Sequence, residues 1–500
     1  MNDNASPAWA RHLPPGQAWE DINLTRRVSL PAAWAQQWRA NPNRAILRDP
    51  DGTWISAREL LERTAEVAAR FAAAGLRSGD RILISGDSSN DFVVAYCAAL
   101  RAGLVVVPVN SGYSRRELEV ILQDSSPSAA VLERPEHRAA ASSFASDIVV
   151  TGIKVDLPGG RTPVLDAAAS AHPALLPYTS GTTGKPKGTV LSHGNLLASV
   201  EAVRIAWRWG RNDRLILCLP LFHMHGLGVG LNGTLLVGGS AILQRGFEAE
   251  AVLRAAADDA TMFFGVPTMY SRLSNAAGAE RLGVLRLCVS GSAPLSADLH
   301  RQIETRCRQR VIERYGMTET LMLVSNPFDG ERRPGTVGFP LPGVSVRLNV
   351  KGEILVKGPN VFSGYLGLPE ANSEAFTEDG EFRTGDIGAF DADGYLSIVG
   401  RAKELIISGG FNVYPREIED VLRGHPSVVD AAVVGTPSEE WGEVVTAYVE
   451  ANDGFDSDAL LQWVAGEVAS YKKPRVVYRI DALPRNSLGK VLRDKLRPPS

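Results

Sequence analysis

The alternation of short apolar runs with helical patterns is the feature that most constrains the fold of this chain. "DRILISG" (Asp80–Gly86) and "LVVVPV" (Leu104–Val109) are rich in β-branched residues, and each precedes a helical pattern, "NDFVVAYCAALRAG" (Asn90–Gly103) and "SRRELEVILQDS" (Ser114–Ser125). Neighbouring parallel strands need crossover connections, which are usually helices. The sequence therefore predicts an α/β fold in which helices flank parallel sheets.

The length and a change of pattern near residue 400 indicate two domains. A single hydrophobic core stops growing at about 250–300 residues, whereas this chain has 500. After a hairpin turn at Asp393 and Gly394, a small α+β unit is predicted, with helices at Pro415–Arg423 and Asp458–Ala469 and strands at Val428–Val434, Glu443–Val449 and Arg475–Ile480. We place the junction at Arg401–Glu404, between domains of residues 1–402 and 403–500. A short, charged joint indicates relative motion.

Charge and cysteine content exclude several classes of protein. The 53 Lys and Arg residues nearly balance 56 Asp and Glu, with a net charge of −3, so no bulk attraction to nucleic acid or an anionic membrane is expected. Four cysteines without a C-x-x-C pair favour a reducing, cytoplasmic location. The N-terminus has no signal-peptide pattern. The longest apolar stretch, Phe92–Val109, contains Arg101 and Gly103, which favours a buried helix and strand over a membrane span.

The loop "YTSGTTGKPKGTV" (Tyr178–Val190) is the first candidate binding element. Its hydroxyl residues, glycines and lysines suit an oligophosphate, because they supply side-chain donors, inward-turning backbone amides and positive charge: Ser180, Gly181, Thr182, Thr183, Gly184, Lys185 and Lys187. The spacing differs from G-x-x-x-x-G-K-[ST], so the loop is not a P-loop. Taken alone, the composition is equally typical of a solvated turn.

The loop resembles the phosphate-loop signature of the adenylate-forming superfamily, which includes acyl-CoA synthetases, peptide-synthetase adenylation domains and firefly luciferases. Four further elements follow in the family's order: "RYGMTET" (Arg314–Thr320), "TGD" (Thr384–Asp386), "GRAKELIISGGFNVYPREIE" (Gly400–Glu419) and "PRNSLGK" (Pro484–Lys490). They are similar to its Y-G-x-T-E, ribose, hinge and catalytic-lysine elements. The resemblance spans nearly the whole chain. It implies a large N-terminal domain of helix-flanked β-sheets with a distorted β-barrel subdomain, and a small mobile α+β C-terminal domain.

The resemblance also implies ATP, Mg²⁺ and coenzyme A as ligands and carries site residues onto this chain. The residues expected at ATP are Thr179, Ser180, Gly181, Thr182, Thr183, Gly184, Lys187, Ser292, Ala293, Pro294, Glu313, Arg314, Tyr315, Gly316, Met317, Thr318, Asp386, Arg401 and Lys490. Glu319 and Thr182 are expected at Mg²⁺, since Mg²⁺ prefers hard oxygen ligands. Tyr315 offers a ring to adenine, and Asp386 offers acceptors to the ribose. Each of these also has an ordinary structural explanation, namely core packing or turn chemistry.

The implied chemistry is acyl activation in two steps. A carboxylate attacks the α-phosphorus of ATP, and the resulting acyl-adenylate is then attacked by a thiol. Lys490 is the expected catalytic cation, with Glu319, Thr182 and His223 as the other catalytic candidates. By resemblance the C-terminal domain rotates about Lys403 between the steps, and the coenzyme A residues are Ser408, Gly409 and Gly410.

The expected acyl pocket contains two arginines in contexts that resemble those of malonyl-CoA and methylmalonyl-CoA synthetases. Arg272 lies in M-Y-x-R and Arg314 in E-R-Y-G-M-T-E-T, and either guanidinium can bind a carboxylate through paired hydrogen bonds. The candidate acyl-binding residues are His223, Met224, Arg272, Ser290, Arg314 and Met322. Together they predict a small-molecule dicarboxylic acid, malonate or methylmalonate, as substrate.

Several alternatives stay open at this point. In one alternative, Arg272 caps a surface helix and Arg314 pairs with Glu313 or another structural acid. The acid is then a medium-chain or aryl acid, or the acceptor a carrier-protein thiol. A pseudoenzyme is disfavoured because Lys490, Glu319 and Asp386 are all present. A metal pair at His223-x-His225 is disfavoured because zinc sites use three or four ligands. The choice between malonate and methylmalonate and the oligomeric state are undetermined.

Overall fold

The computed structural model describes residues 6–25, 27–180, 186–408, 411–438, 441–486 and 489–497. Within these ranges the chain has a mixed α/β fold, as predicted. The α-helices span Leu30–Ala40, Ala57–Ala73, Asn90–Arg101, Arg115–Ser125, Pro135–Phe144, His193–Ala206, Asn232–Val237, Ala249–Asp258, Pro267–Ser274, Ala297–Cys307, Pro369–Ala375, Pro415–Arg423 and Ser457–Glu467. A π-helix spans His225–Leu231.

The largest sheet has nine strands and a parallel centre. Across the sheet the strands are Phe339–Pro340, Leu321–Ser325, Ile312–Met317, Leu287–Ser290, Met262–Gly265, Arg214–Leu217, Ser240–Leu243, Ala45–Arg48 and Trp54–Ser56. The pairings from Ile312–Met317 to Ala45–Arg48 are parallel, whereas both ends of the sheet pair antiparallel. In such sheets ligands bind beyond the carboxyl ends of the parallel strands. A ligand-binding site is therefore expected at the loops that follow Arg214–Leu217, Met262–Gly265 and Leu287–Ser290.

The second sheet confirms the strand and helix alternation that the sequence predicts between residues 80 and 125. Its six strands are, in order, Leu191–Ser192, Pro173–Leu175, Val105–Pro108, Arg81–Ser85, Ala129–Leu132 and Val149–Thr151. The two predicted strands are parallel neighbours, with Arg81 opposite Val105. Serine caps begin the two intervening helices: Ser89 accepts from the amide of Phe92, and Ser114 forms a reciprocal capping box with Glu117.

Two smaller antiparallel units accompany the two larger sheets. The strands Ser345–Leu348, Glu353–Lys357, Phe382–Phe390 and Leu396–Arg401 form a four-stranded sheet, the unit to which the expected distorted barrel corresponds. Strands Tyr178–Ser180 and Pro186–Gly188 form the 178–188 hairpin. Gly338, next to the large sheet, bridges to Leu396 of the four-stranded sheet. Thr189, directly after the hairpin, bridges to Tyr365, which follows strand Glu353–Lys357 of the four-stranded sheet.

The C-terminal unit is α+β, as predicted. Its strands are Phe411–Val413, Ile406–Ser408, Gly442–Ala451, Val428–Ser438 and Val476–Ile480, and helices Pro415–Arg423 and Ser457–Glu467 pack with them. A 3₁₀ turn, Ala402–Glu404, lies where the junction is predicted. The boundary between residues 402 and 403 stays a prediction.

Aromatic side chains of the main core pack around Phe264, at the carboxyl end of strand Met262–Gly265. Trp207 and Trp209 meet Phe264 edge-on, and the His225 ring stacks on Phe264 with centroids 6.1 Å apart. Such packing fixes the imidazole in position. In the described ranges, no helix combines the length and the apolar character required to cross a bilayer.

Candidate nucleotide and acyl site

Asp386, Arg401 and Tyr315 form a fully paired corner. Asp386 lies opposite Arg401 in the antiparallel pair of Phe382–Phe390 and Leu396–Arg401. The Arg401 Nε lies 3.0 Å from Asp386 Oδ1, and the Tyr315 hydroxyl donates to Asp386 Oδ2 at 2.5 Å. Burial raises the pKa of Tyr315 well above its usual value, so its hydroxyl remains a neutral donor. The motifs indicated these residues separately, and the hydroxyl link is an addition to the ring contact expected of Tyr315.

A tight turn carries the chain from Tyr315 to Glu319. A Cβ at Gly316 would lie 1.9 Å from the Leu321 carbonyl oxygen, so only glycine fits there. Leu321 has a φ of 55°, and the Thr320 amide donates to the Met317 carbonyl at 3.2 Å. Met317 and Thr318, both half-buried, are held within this turn.

Glu319 is buried at the end of the turn and is held by another tyrosine. The Tyr365 hydroxyl donates to Glu319 Oε1 at 3.0 Å, and the Glu319 carbonyl accepts from the Phe362 amide at 2.8 Å. Burial raises the pKa of Glu319, while the bond from Tyr365 opposes that shift. The motifs did not indicate Tyr365. It lies far beyond the end of the Arg314–Thr320 element, and nothing in the sequence around it marks it as a partner of Glu319.

The 178–188 hairpin brings its lysine to the same place. Thr179 pairs with Lys187 across the hairpin, and Lys187 Nζ lies 5.0 Å from the centroid of the Tyr365 ring. The Leu366 amide donates to the Gly188 carbonyl at 2.8 Å. Gly181, Thr182, Thr183, Gly184 and the side chain of Ser180 lie outside the described residues. Their predicted roles, including that of Thr182 at Mg²⁺, stay predictions.

The turn that carries Lys490 lies against the N-terminal part of the chain. Gly489 has a φ of 76°, and a Cβ there would lie 2.8 Å from the Thr268 Oγ1 on helix Pro267–Ser274. The Lys490 amide donates to Asn486 Oδ1 at 2.9 Å. Burial and the charge of Arg401 lower the pKa of Lys490, and Glu404 and Asp386 oppose that shift. The catalytic role expected of Lys490 stays a prediction.

The guanidinium of Arg314 is buried and unpaired. Arg314 is 4% exposed, and its Nε and Nη2 have no hydrogen-bond partner among the described residues. A Cβ at Gly291 would lie 2.4 Å from Arg314 Cζ, so the glycine makes room for the guanidinium. Burial lowers the pKa of Arg314 to about 9, which still leaves it charged at neutral pH.

Two more buried polar atoms lie unpaired in the segments around Arg314. Ser290 Oγ and His225 Nε2 lack partners in the part of the chain that the structure describes. Burial, with the charge of Arg314, lowers the pKa of His225 well below its usual value, so the ring is neutral. Its Nδ1 lies 3.4 Å from the Ser292 Oγ. Sequence reasoning considered His225 only as half of a metal pair and missed this placement.

Glu313 does not pair with Arg314. Glu313 Oε1 accepts from the Leu295 amide at 3.0 Å, while Oε2 has no partner within the described ranges. Burial raises the Glu313 pKa to about 7. The alternative of a Glu313–Arg314 ion pair is therefore wrong. Instead Glu313 holds the backbone directly after Ser292, Ala293 and Pro294, the segment expected at adenine.

Apolar side chains close the region around the buried polar atoms. Met224 and Met322 are 6% and 2% exposed. Met224 and Leu321 both approach Gly228 in the π-helix His225–Leu231, where a Cβ would lie 3.2 Å from the Met224 sulfur. Burial lowers the pKa of His223 to about 4, which makes it neutral at physiological pH. Met224 and Met322 are thus buried apolar side chains and His223 is uncharged, and their contact with the acid stays a prediction.

Comparison with known proteins decides the family. A model of the AMP-binding enzyme family matches residues 34–366, and a model of the AMP-binding enzyme C-terminal domain matches residues 417–490. The chain belongs to the AMP-binding enzyme family. It is an ATP-dependent acyl-CoA ligase of the adenylate-forming superfamily, with the large N-terminal and small C-terminal domains of that superfamily.

Relatives in this family act on different acids. The chain is 37% identical to feruloyl-CoA synthase of Amycolatopsis sp., covering 92% of this chain and 96% of that protein. It is 34% identical to malonate–CoA ligase of Arabidopsis thaliana, covering 86% and 79%. ATP-bound MatB from Rhodopseudomonas palustris has a TM-score of 0.88 at 38% identity, covering 95% and 98%. The acid that this ligase activates must be argued from its own pocket.

Arg272 does not join Arg314 in the ligase. Arg272 is exposed, and its guanidinium lies 4.9 Å from the centroid of the Phe247 ring. Helix Pro267–Ser274 turns Tyr270 and Leu273 inward, whereas Arg272 shares a face with Thr268, which lies against the turn that carries Lys490. Arg272 is therefore not buried beside Arg314, and its predicted acyl-binding role stays a prediction.

The predicted hinge and coenzyme A elements of the ligase are only partly described. Lys403 is exposed in the turn Ala402–Glu404, and Ser408 is buried at the end of strand Ile406–Ser408. Gly409 and Gly410 lie outside the described residues. Arg416 of the C-terminal unit donates to the Ile398 carbonyl of the four-stranded sheet. The roles of Lys403 and Ser408 stay predictions.

Proposed function

We propose that this ligase activates a short dicarboxylic acid, malonate or methylmalonate, and transfers the acyl group to coenzyme A with release of AMP and pyrophosphate. The observation that carries the proposal is the buried guanidinium of Arg314, whose Nε and Nη2 have no partner among the residues described. Burying an unpaired charge costs several kcal/mol, so such a group is expected where a ligand completes it.

A second carboxylate on the substrate would supply the acceptor and the negative charge that the Arg314 guanidinium needs. Arginine binds a carboxylate through two parallel hydrogen bonds. Ser290 Oγ and His225 Nε2 supply further polar atoms, and His225 is a donor there if the Ser292 hydroxyl donates to its Nδ1. Octanoate and ferulate carry only the carboxylate that is activated and have no second carboxylate for Arg314. The buried methionines favour a short acid over a long one.

The nucleotide end supports the first half-reaction. We infer that Asp386 accepts from the ribose hydroxyls, with Arg401 and Tyr315 holding its carboxylate in place. The substrate carboxylate then attacks the α-phosphorus, and the charge that accumulates on phosphate oxygens is stabilised by preorganised cations. We assign this role to Lys490, whose turn lies against Thr268 and whose pKa responds to the charges of Arg401, Glu404 and Asp386.

The residues present also fit a magnesium ion. Glu319 is a buried carboxylate with one oxygen already oriented by Tyr365, and carboxylate oxygens are the ligands that Mg²⁺ prefers. We infer that Glu319, with Thr182, holds the ion. When bound, Mg²⁺ neutralises phosphate charge. Lys187 lies beside Tyr365 and adds its own positive charge at this place.

The second half-reaction places different demands on the C-terminal domain. We infer that the domain pivots near Lys403, withdraws Lys490 and brings Ser408, Gly409 and Gly410 to the thiol. The contact of Gly489 with Thr268 suits the adenylation orientation. It is made between the two domains, so it must break if Lys490 withdraws.

The acid is tested by measuring pyrophosphate release with malonate, methylmalonate, octanoate, benzoate and ferulate. We expect turnover with the two dicarboxylic acids, and a fall of at least about 30-fold in kcat/KM for malonate in Arg314→Met, because truncating one partner of a buried charge pair costs ~2–5 kcal/mol. ATP binding by the variant is the matched control and should persist. Preference of the wild type for ferulate or octanoate would establish the aryl or medium-chain alternative, which the likeness to feruloyl-CoA synthase keeps in view.

A further inference from the structure

Tyr365 touches two groups of the nucleotide site from opposite parts of its side chain. Its hydroxyl donates to Glu319 Oε1 at 3.0 Å, and its ring centroid lies 5.0 Å from Lys187 Nζ. Glu319 follows the Tyr315 turn, whereas Lys187 belongs to the 178–188 hairpin. Tyr365 is thus a physical link between the predicted magnesium carboxylate and the predicted phosphate loop.

The backbone around Tyr365 is fixed on both sides, so the side chain has a defined direction. The Tyr365 amide donates to Asn372 Oδ1 at 2.7 Å, and Asn372 Nδ2 donates back to the Tyr365 carbonyl at 3.1 Å. A bridge to Thr189 ties Tyr365 to the chain directly after the hairpin. Phe362 meets the ring edge-on with centroids 4.9 Å apart. The tyrosine side chain is therefore held in one position between the side chains of Glu319 and Lys187.

We propose that Tyr365 is a positioning residue for the ATP phosphates: its hydroxyl orients the Glu319 carboxylate toward the metal, and its ring holds the Lys187 ammonium. Without the hydroxyl, the Glu319 carboxylate loses the side-chain hydrogen bond that orients its Oε1. Without the ring, Lys187 keeps its charge but loses a cation–π contact worth ~0.5–2 kcal/mol. The inference rests on the assignment of Glu319 and Lys187 to the nucleotide, and it is independent of which acid is activated.

Two substitutions separate the two contacts. Tyr365→Phe removes the hydroxyl and keeps the ring, whereas Tyr365→Leu removes both. The dissociation constant of a non-hydrolysable ATP analogue is measured calorimetrically in saturating Mg²⁺ and again in EDTA, without any acid. The ratio of the two constants reports how much the metal contributes to binding.

In Tyr365→Phe we expect the metal contribution to fall about tenfold with the EDTA value unchanged, since a hydrogen bond to a charged group is worth ~1.5–3 kcal/mol. In Tyr365→Leu we expect the same loss and, in addition, a roughly threefold to tenfold weaker affinity in EDTA. Tyr395→Phe is the matched control, because its hydroxyl donates to the Glu331 carbonyl at 3.0 Å, outside the site. It should leave both constants unchanged.

A melting temperature for each variant shows that it is folded. The proposal is overturned if folded Tyr365→Phe keeps the wild-type metal contribution within about twofold. It is also overturned if both variants weaken binding in EDTA equally, since Tyr365 then serves only as packing. If Tyr365→Leu does not fold, the near-isosteric Tyr365→Phe decides the hydroxyl role. A dicarboxylate prediction that failed would appear in the acid panel and would leave these constants untouched.

Discussion

The two ends of the candidate site are built from adjacent residues of one strand and treat charge in opposite ways. On strand Ile312–Met317, Tyr315 joins Asp386 and Arg401 in a corner where each charge has a partner. Its neighbour Arg314 is buried with two nitrogens unpaired among the described residues. Successive side chains of a strand point to opposite faces, so a single strand serves both ends. The paired end is set before a ligand arrives, and the unpaired end needs one.

The contrast makes opposite predictions for stability, and Asp386→Ala is expected to have the largest effect. Removing Asp386 leaves Arg401 and the buried Tyr315 hydroxyl without their acceptor. Breaking a fully buried charge pair costs ~3–5 kcal/mol of unfolding free energy. The Arg401 side chain is 42% exposed, so we expect a smaller loss of ~1–3 kcal/mol. Arg314→Met removes an unpaired buried charge, so its unfolding free energy should stay equal or rise by up to ~4 kcal/mol. Urea denaturation of both variants without ligand measures the difference, and equal losses would refute the contrast.

Gly291→Ala tests whether the space around the unpaired arginine is specific. A Cβ at Gly291 would lie 2.4 Å from Arg314 Cζ, so the guanidinium must move. We expect the KM for malonate to rise about tenfold while the KM for ATP is unchanged, because a displaced bidentate contact loses ~1.4 kcal/mol or more. Gly210→Ala is the control, since a Cβ there meets nothing within 4 Å. Equal effects on both KM values would mean that Arg314 and the nucleotide are not separate ends.

At the paired end, the sequence predicted that Asp386 and Arg401 belong to the site, but not the strand register that places them opposite each other. A turn at Asp393 and Gly394 was expected to return the chain, and strands Phe382–Phe390 and Leu396–Arg401 do pair there. A register shift between Ile387 and Gly388 then places Asp386 opposite Arg401, although the neighbouring pairs closer to the turn are offset by one residue. A one-residue shift exchanges the two faces of a strand. Motif spacing carries no information about such a bulge.

At the unpaired end, the sequence predicted the burial of Arg314 but not the positions of Arg272 and His225. Arg314 was expected in the pocket, and its burial next to Gly291 is compatible with that role. Arg272 carried an equally suggestive local context, but the inward face of its helix belongs to Tyr270 and Leu273. An eight-residue helix gives too short a periodic pattern to fix its rotation from sequence. His225 was missed because the sequence analysis considered it only as half of a His223-x-His225 metal pair, which was disfavoured, and not as a hydrogen-bonding group.

Arg272→Ala is the smallest effect expected, and it tests whether an exposed arginine takes part in binding the acid. Its guanidinium lies at the surface over Phe247, and an exposed cation–π contact is worth ~0.5–1 kcal/mol. Unfolding free energy should fall by no more than that amount, and kcat/KM for malonate should change less than about twofold. Arg314→Met, assayed in parallel, supplies the contrast between an outer and an inner arginine on neighbouring elements. If Arg272→Ala instead removed malonate turnover while ATP binding persisted, the outward position of its side chain would have to change when the acid binds, and the unpaired end would again hold two arginines.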